Sequence, residues 1–186
     1  MSREQTATQP GVGMTTDRLF RVLDAVQSHI RVFDTKAQIA MAGAGVLATA
    51  YSVTAPRYVK VLIDQSPSTL QSGVPLLLVA AGLTTFLFCL VNAFLTLNPR
   101  TEMKQPDSFL FFEHLSRQFG TDYLRCFDHM SHVTEDLLRR DLTNQILVNS
   151  NICDKKCSHA RLALQFLFAS FACWIVFFLF TLQGAV

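Results

Sequence analysis

The sequence predicts an all-α membrane protein, with three transmembrane helices and a small helical cytoplasmic part. Half of its 186 residues are hydrophobic and 16 are Phe, which is a more apolar composition than most water-soluble domains of this size have. Three runs, over residues 37–55, 74–97 and 162–183, contain no Asp, Glu, Lys, Arg or His. A helix needs about 20 apolar residues to cross a bilayer, so each run predicts a membrane span. The sequence has no pattern of alternating strands and helices.

The N-terminal part precedes the first span. Residues 1–15 are mostly polar, with Gly and Pro, a composition that predicts a disordered tail. From residue 16 onward, apolar side chains recur at helical spacing, and Thr16 or Asp17 can cap the helix. We therefore expect a cytoplasmic amphipathic helix over residues 16–36 that runs directly into the first span. Its polar face is not strongly basic, which favours packing on the rest of the cytoplasmic part over a role on the membrane surface.

The spans differ in composition. The first, 37–55, is rich in Ala and Gly, whereas the second, 74–97, and the third, 162–183, are dominated by larger apolar side chains. Residues 56–73, between the first two spans, include Ser, Pro and Gly and predict a compact periplasmic loop.

The Lys and Arg residues set the expected orientation. Five lie before the first span, two lie between the first and second spans, nine lie in residues 98–161, and none follows the third span. Because Lys and Arg are retained on the cytoplasmic side, we expect a cytoplasmic N-terminus and middle segment, and a periplasmic tail over residues 184–186. The net charge is +2, and the sequence has no stripe of basic residues of the kind that binds nucleic acid. We therefore expect no nucleic-acid partner.

Residues 98–161 are the only sizeable soluble part and predict a cytoplasmic helical region. The segment SFLFFEHLSRQF has the pattern of a short helix that Gly120 ends. A second helix is expected to begin near Thr121 or Asp122, and a third near Thr134. The third carries apolar and small side chains on one face and is expected to continue unbroken into the last span.

Side-chain chemistry does not indicate an enzyme. The sequence has no recognisable nucleophile with its base, no paired catalytic carboxylates and no phosphate-binding Gly-rich loop. Two groups of soft metal ligands lack a standard zinc spacing and a fourth ligand, which favours ordinary residues on interhelical surfaces. These groups are Cys126, His129 and His132, and Cys153, Cys157 and His159. We therefore expect no catalytic and no metal-binding residues.

Charged residues stand at the edge of the first span. Asp34 and Lys36 immediately precede the run without charge. Lys36 can simply extend its ammonium group to the lipid headgroups, but a positive-inside topology does not require Asp34. Asn98 and Arg100 follow the second span and should lie at the same membrane level. Two cations around one carboxylate can bind a phosphate or can only neutralise each other. These four residues are the candidate ligand-binding residues.

Small residues line one face of the first span. Ala40, Ala44 and Ala48 recur every four residues, and Gly43 lies among them. Small side chains let the backbone of a neighbouring helix approach closely in lipid. That neighbour is either the second span of the same chain or a helix of another copy, and the two alternatives are equally compatible with the pattern.

Several motifs occur in order along the chain. They are FDTKAQIAMAGAGVL after the amphipathic helix, NPR after the second span, FLFFEH, TDYL, and EDLLRRDLTNQI with Lys155 and Lys156 before the last span. With these motifs, residues 17–183 resemble the transmembrane effectors of the Pycsar antiphage systems (PycTM), and DTKA and NPR are the most specific of them.

The resemblance implies a bacterial inner-membrane effector that is functionally paired with a pyrimidine nucleotide cyclase. Its activating ligand would be cyclic UMP or cyclic CMP, made on phage infection, and no other cofactor is implied. The effector would then impair the inner membrane and abort the infection. Because three spans cannot enclose a pore and lipid provides no hydrophobic drive between helices, we expect this damage to require a homo-oligomer.

A cyclic mononucleotide carries one negative charge and a flat base, so its site needs an Arg or Lys beside an aromatic or apolar slot. The candidate walls are Phe33, Phe111, Phe112 and Tyr123. Two other functions remain open, a membrane scaffold or sensor subunit that signals to a partner protein, and a small channel. The spans contain no Asp, Glu, Lys, Arg or His, which disfavours a permanent transport pathway.

Overall fold

A computed structural model describes residues 14–65, 69–98, 108 and 112–183. These residues form five α-helices and no strand, which confirms the predicted all-α class. The helices are α1 (Thr16–Gln65), α2 (Thr69–Leu97), α3 (Phe112–Phe119), α4 (Tyr123–Ser131) and α5 (Glu135–Gln183). The predicted tails over residues 1–15 and 184–186 lie outside the described residues, except for residues 14 and 15.

Three of the helices, α1, α2 and α5, are long and apolar enough to cross a membrane, as the sequence predicts. The apolar segments of these helices have mean hydropathies of 1.3, 2.4 and 2.3. Only 28%, 17% and 17% of these segments, respectively, is buried within the chain. Most apolar side chains of these helices therefore face outward. Such exposure carries no hydrophobic penalty where the surroundings are hydrocarbon.

The first helix is longer than the sequence patterns suggest. It begins where the carbonyl of Thr15 accepts the N–H groups of Arg18 and Leu19, at 2.9 and 3.2 Å, so Thr15 rather than Thr16 or Asp17 flanks its start. Pro56 lies inside this helix and cannot donate a backbone hydrogen bond, yet the helix continues to Gln65. Of the residues expected to form a compact loop over 56–73, those at 56–65 extend α1 and those at 69–73 begin α2.

Local signals place the short helices as predicted. Gly120 follows α3 with a φ of +55°, a left-handed conformation that Gly adopts without steric cost and that commonly ends a helix. The side chain of Asp122 caps α4 by accepting the N–H of Arg125 at 3.1 Å. The Thr134 hydroxyl accepts the N–H of Leu137 at 3.4 Å at the start of α5. This last helix then runs unbroken into the third predicted span.

The chain divides into two compact units, and α1 and α5 contribute to both. The head unit comprises Met1–Gln27 and Glu102–Ser150. The span unit comprises Ser28–Thr101 and Asn151–Val186.

The head unit buries three hydrogen-bonded polar side chains as well as apolar ones. The Ser108 hydroxyl donates to Asp141 Oδ2 and accepts from Gln145 Nε2, each at 2.9 Å, and all three residues are buried. Leu19 and Leu142 are buried in the same unit. Because Asp141 and Gln145 are one turn apart on α5, these hydrogen bonds hold Ser108 on that helix.

The core of the span unit is built mainly from small residues. Six buried side chains from α1, α2 and α5 form one cluster, and larger apolar side chains from α2 and α5 pack around it. Small residues at these contacts let the helix backbones approach closely, which is how helices associate in lipid. The six are Ala37, Ala40, Ala44, Cys89, Ala93 and Ala163.

A second contact joins the same three helices further along the spans. The Tyr51 hydroxyl donates to the carbonyl of Ser170 at 3.4 Å, and the Ser170 hydroxyl donates to the carbonyl of Gly82 at 3.0 Å. A Cβ atom on Gly82 would overlap the Tyr51 hydroxyl. Gly82 therefore leaves room on α2 for the Tyr51 side chain of α1.

Candidate functional site

The carboxylate at the edge of the first span is paired across the span unit. Lys156 Nζ of α5 lies 2.5 Å from Asp34 Oδ1 of α1, and the two side chains are 8% and 30% exposed. The sequence places Lys36 and Arg100 around Asp34, whereas the cation that the structure places there is Lys156. Arg100 itself lies outside the described residues.

Lys156 could have been identified from the register of α5. It precedes Ala160 by four residues and Ala163 by seven, and all three are buried. Positions at this spacing lie on one face of a helix, so Lys156 continues the buried stripe of α5. A buried cation needs a counter-charge, and Asp34 is the carboxylate next to the first span.

Lys36 lies in a groove between α1 and α5 of the span unit. The groove has a volume of about 320 Å³ and is lined by Phe33, Lys36, Cys157, Ala160, Arg161, Leu164, Gln165 and Phe168. Lys36 Nζ lies 5.4 Å from the centroid of the Phe33 ring, within the range of a cation–π contact. Of the aromatic walls predicted from the sequence, Phe33 is in this lining.

The groove is positively charged. Its described lining contains the cations Lys36 and Arg161 and no carboxylate, while Asp34 is neutralised by Lys156. Sequence reasoning missed Arg161, although it is the last charged residue before the third span, as Lys36 is before the first. An ammonium and a guanidinium beside aromatic and apolar walls can bind a small anion that also has a flat or apolar part.

Other predicted residues lie away from this lining. Asn98 directly follows α2, where its N–H donates to the carbonyl of Phe94 at 2.9 Å, and it is exposed. Tyr123 is 72% exposed on α4 in the head unit. Phe111 and the side chain of Phe112 lie outside the described residues.

The small-residue face of α1 is divided by the packing. Ala40 and Ala44 are fully buried against other helices of the same chain, and a Cβ atom on Gly43 would lie 2.9 Å from a methyl carbon of Leu167. Ala48, however, is exposed. Contacts within the chain therefore occupy the first part of this face and leave Ala48 at the surface.

Polar residues of the spans join helices. His159 Nδ1 of α5 and Asn92 Oδ1 of α2 are 3.1 Å apart, and Asn92 Nδ2 donates to the Phe88 carbonyl at 2.8 Å. In the described part of the chain, no three His, Cys, Asp or Glu side chains come together as metal ligands. One member of the predicted groups, His129, packs its ring on Phe119 with a centroid distance of 5.2 Å.

Comparison with known proteins identifies the family of the chain. Searches of curated proteins and of solved structures returned no match. A sequence model of PycTM, the Pycsar effector protein domain, matches residues 18–182. The match covers nearly the whole chain, including the groove, the ion pair and the three apolar helices. The chain therefore belongs to the PycTM family of Pycsar effectors, which act in antiphage defence.

Proposed function

We propose that this effector binds cyclic UMP or cyclic CMP and then impairs the bacterial inner membrane, so that infection is aborted. Its family supports an antiphage role and a paired cyclase, and its three apolar helices fit a membrane location. The observation that carries the proposed ligand is the cationic groove beside Phe33. The effector acts by binding, without a catalytic step.

The groove matches the chemistry of a cyclic mononucleotide. Lys36 and Arg161 provide charge-assisted hydrogen bonds to a phosphate with one negative charge. Phe33 provides a ring face for a flat base, and the Gln165 amide can both donate to and accept from a pyrimidine edge. The groove volume of about 320 Å³ lies at the lower end of the range of small-ligand sites, about 300–1,000 Å³.

Of the other candidate residues, Asp34 supports this site. Asp34 is a positioning residue, since its ion pair with Lys156 joins α1 to α5 beside the groove. Asn98 and Arg100 stay candidates for additional polar contacts at the end of α2. A single cyclic nucleotide between α1 and α5 can change how these helices pack, provided that it binds one arrangement more tightly than the other.

Membrane damage in this proposal requires several copies. The three helices of one chain bury Ala40 and Ala44 against each other and so pack too closely to leave a passage. Exposed small residues remain on α1 at Ala48 and Gly45, and a Cβ atom on Gly45 would meet no atom within 4 Å. Another copy can approach closely at this surface.

The proposed orientation places the groove at the cytoplasmic side, where a cyclase releases its product. The N-terminus is cytoplasmic and the C-terminus periplasmic because the Lys and Arg residues flank the spans on one side. A reporter fused after Val186 should then be periplasmic, and one inserted near Lys104 should be cytoplasmic. Two reporters on the same side would contradict a three-span topology.

Two measurements test the proposal. The first is equilibrium binding of cyclic UMP and cyclic CMP to the purified full chain in detergent, and the second is dye entry into cells that also express a pyrimidine cyclase. Arg161→Gln and Lys36→Gln should each cost about 1.5–3 kcal/mol of binding, the value of a charged hydrogen bond. Lys155→Gln is the matched control, because Lys155 is exposed and is not among the lining residues.

Each outcome has a distinct meaning. If neither nucleotide binds and wild-type cells stay sealed, the proposed function is wrong. If a nucleotide binds while cells stay sealed, a sensor subunit that signals to a partner is favoured. If binding and leakage occur but both groove substitutions behave like wild type, the nucleotide binds elsewhere.

A further inference from the structure

The groove is chemically divided along its length. On α5 the lining residues run from Arg161 to Leu164 and Phe168. Lys36 of α1 immediately precedes a charge-free run, as Arg161 does, so we assign Lys36, Arg161 and the neighbouring Phe33 to a cationic end, and Leu164 and Phe168 to an apolar end. At 1.5 Å per residue, the α5 segment from Arg161 to Phe168 extends about 10 Å. Phe168 is 69% exposed, so the apolar end is open along the surface of the helix. A cyclic nucleotide would occupy the cationic end and has no group suited to the rest.

The cationic end lies at the boundary of the apolar segments. Lys36 immediately precedes the charge-free run 37–55, and Arg161 immediately precedes the charge-free run 162–183. Lipid phosphates lie at such a boundary, and the acyl chains begin on its apolar side. Leu164 and Phe168 lie on that apolar side. The groove therefore presents cations at the level of phosphates and an open apolar surface at the level of acyl chains.

We propose that this groove binds an anionic phospholipid, whose phosphate contacts Lys36 and Arg161 and whose acyl chain packs along Leu164 and Phe168. Because Lys156 already neutralises Asp34, the positive charge of the groove is not cancelled by that carboxylate. A headgroup that carries its own ammonium is repelled by the two cations, whereas phosphatidylglycerol is not. The occupant is therefore a phospholipid with a net negative headgroup.

The lipid and the proposed messenger share one chemical group. A phospholipid and a cyclic mononucleotide each present a phosphodiester with a single negative charge. If the function proposed above is correct, on which this step depends, the nucleotide must displace the lipid phosphate from Lys36 and Arg161. The resting effector then holds a phospholipid between α1 and α5, and activation includes its release.

The test uses the full chain purified in a mild detergent. It is incubated with phosphatidylglycerol, with phosphatidylcholine of the same acyl chains, or with inorganic phosphate, and bound molecules are counted by native mass spectrometry. Wild type should retain phosphatidylglycerol at least tenfold better than phosphatidylcholine. Arg161→Gln and Lys36→Gln should each lower this retention about tenfold or more, and Lys155→Gln should not. Circular dichroism confirms that each variant stays helical.

A second pair of variants tests the acyl-chain contact. Phe168→Ala should weaken retention of phosphatidylglycerol several-fold and leave binding of the nucleotide phosphate intact. Phe94→Ala is the matched control, since Phe94 is 64% exposed on α2 and is not among the lining residues. Equal effects of the two substitutions would mean that lipid only surrounds the helices, and would overturn the proposal.

The remaining outcomes separate the possible sources of phosphate. Equal retention of the two phospholipids, or no effect of Arg161→Gln, would overturn the lipid site. Inorganic phosphate that displaces phosphatidylglycerol at equal concentration would assign the groove to free phosphate instead.

Release of phosphatidylglycerol by cyclic UMP or cyclic CMP supports the proposal that lipid and nucleotide share the groove. Binding of a nucleotide without release of the lipid overturns the shared groove. If phosphatidylglycerol is retained selectively but neither nucleotide binds lipid-free protein, the proposed function fails and the lipid site stands.

Discussion

The head unit and the span unit both bury polar side chains, but they do so with different chemistry. In the span unit a full ion pair joins Asp34 to Lys156, whereas the head unit buries hydrogen bonds from Gln145 to Ser108 and from Ser108 to Asp141. Removing one partner of an ion pair leaves an uncompensated charge, whereas removing the Ser108 hydroxyl leaves two groups that each lose one hydrogen bond, and the first change costs more. Polar contacts in the span unit should therefore be the more sensitive to substitution.

The largest expected effect comes from breaking the ion pair. Lys156→Met removes the cation and leaves the Asp34 carboxylate without its partner. This change should destabilise the protein by about 3 kcal/mol. That value is at the lower end of the range for breaking a buried ion pair, because Asp34 is partly exposed. Lys155→Met, at an exposed neighbouring position, should change stability by less than about 0.5 kcal/mol. Reversible unfolding in mixed detergent micelles measures both.

The double variant Asp34→Asn with Lys156→Met sharpens this test. It removes both charges, so it should recover most of the stability that Lys156→Met loses. A double variant as unstable as the single one would show that the packing of the lysine stem, not its charge, stabilises this contact.

The second effect concerns the close contact of the three helices at Gly82. Gly82→Ala places a methyl group on the Tyr51 hydroxyl and should cost about 1–3 kcal/mol, as overpacking does. Gly45→Ala is the control, because that position has open space. Thermal unfolding of the purified variants gives the comparison. Adding Tyr51→Phe to Gly82→Ala removes the obstructing hydroxyl and should restore part of the stability, since the hydrogen bond to Ser170 is lost as well. No recovery at all would place the strain elsewhere.

A smaller effect is expected in the head unit. Ser108→Ala removes the hydroxyl that lies between Asp141 and Gln145. The protein should lose about 1–2 kcal/mol of stability, which is near the lower end of the penalty for leaving a buried polar group without its partner. Ser150→Ala, at an exposed position of α5, should have no measurable effect. Hydrogen exchange of the amides around Asp141 and Gln145 detects the change. Unaltered protection in Ser108→Ala would mean that this hydroxyl does not stabilise the head unit.

The smallest effect is electrostatic and lies on the surface of the head unit. Hydrogen bonds from Arg139 Nη2 at 2.6 Å and from the Thr16 hydroxyl at 3.2 Å lower the pKa of Glu135 from its usual value. Because the folded-state pKa is the lower one, the stabilisation is present above the usual carboxylate range and is lost as pH falls through the folded-state pKa.

Arg139→Gln should return the Glu135 pKa towards its usual value, and Thr16→Val should do so less. Carbon-13 NMR titration of the Glu135 carboxylate measures both shifts. An equal pKa in wild type and Arg139→Gln would show that solvent screens this surface pair completely.

The sequence by itself determined the features that depend on composition or on neighbouring residues. The all-α class and the three apolar helices follow from charge-free runs, because a helix in lipid must satisfy its backbone internally and needs a minimum apolar length. The end of α3 at Gly120 and the starts of α4 and α5 follow from capping residues, since these act within one helical turn. The groove was only partly predictable, through Lys36 and Phe33.

Only the tertiary structure decided which side chains meet across helices. The rotation of each helix pairs Asp34 with Lys156 and places Arg161 and Lys36 in the lining of one groove, although the members of each pair lie more than 100 positions apart. It also packs Gly43 closely against Leu167 and leaves Gly45, two residues later, in open space. Local patterns cannot distinguish these outcomes, because the packing energy that sets the rotation depends on all three helices together.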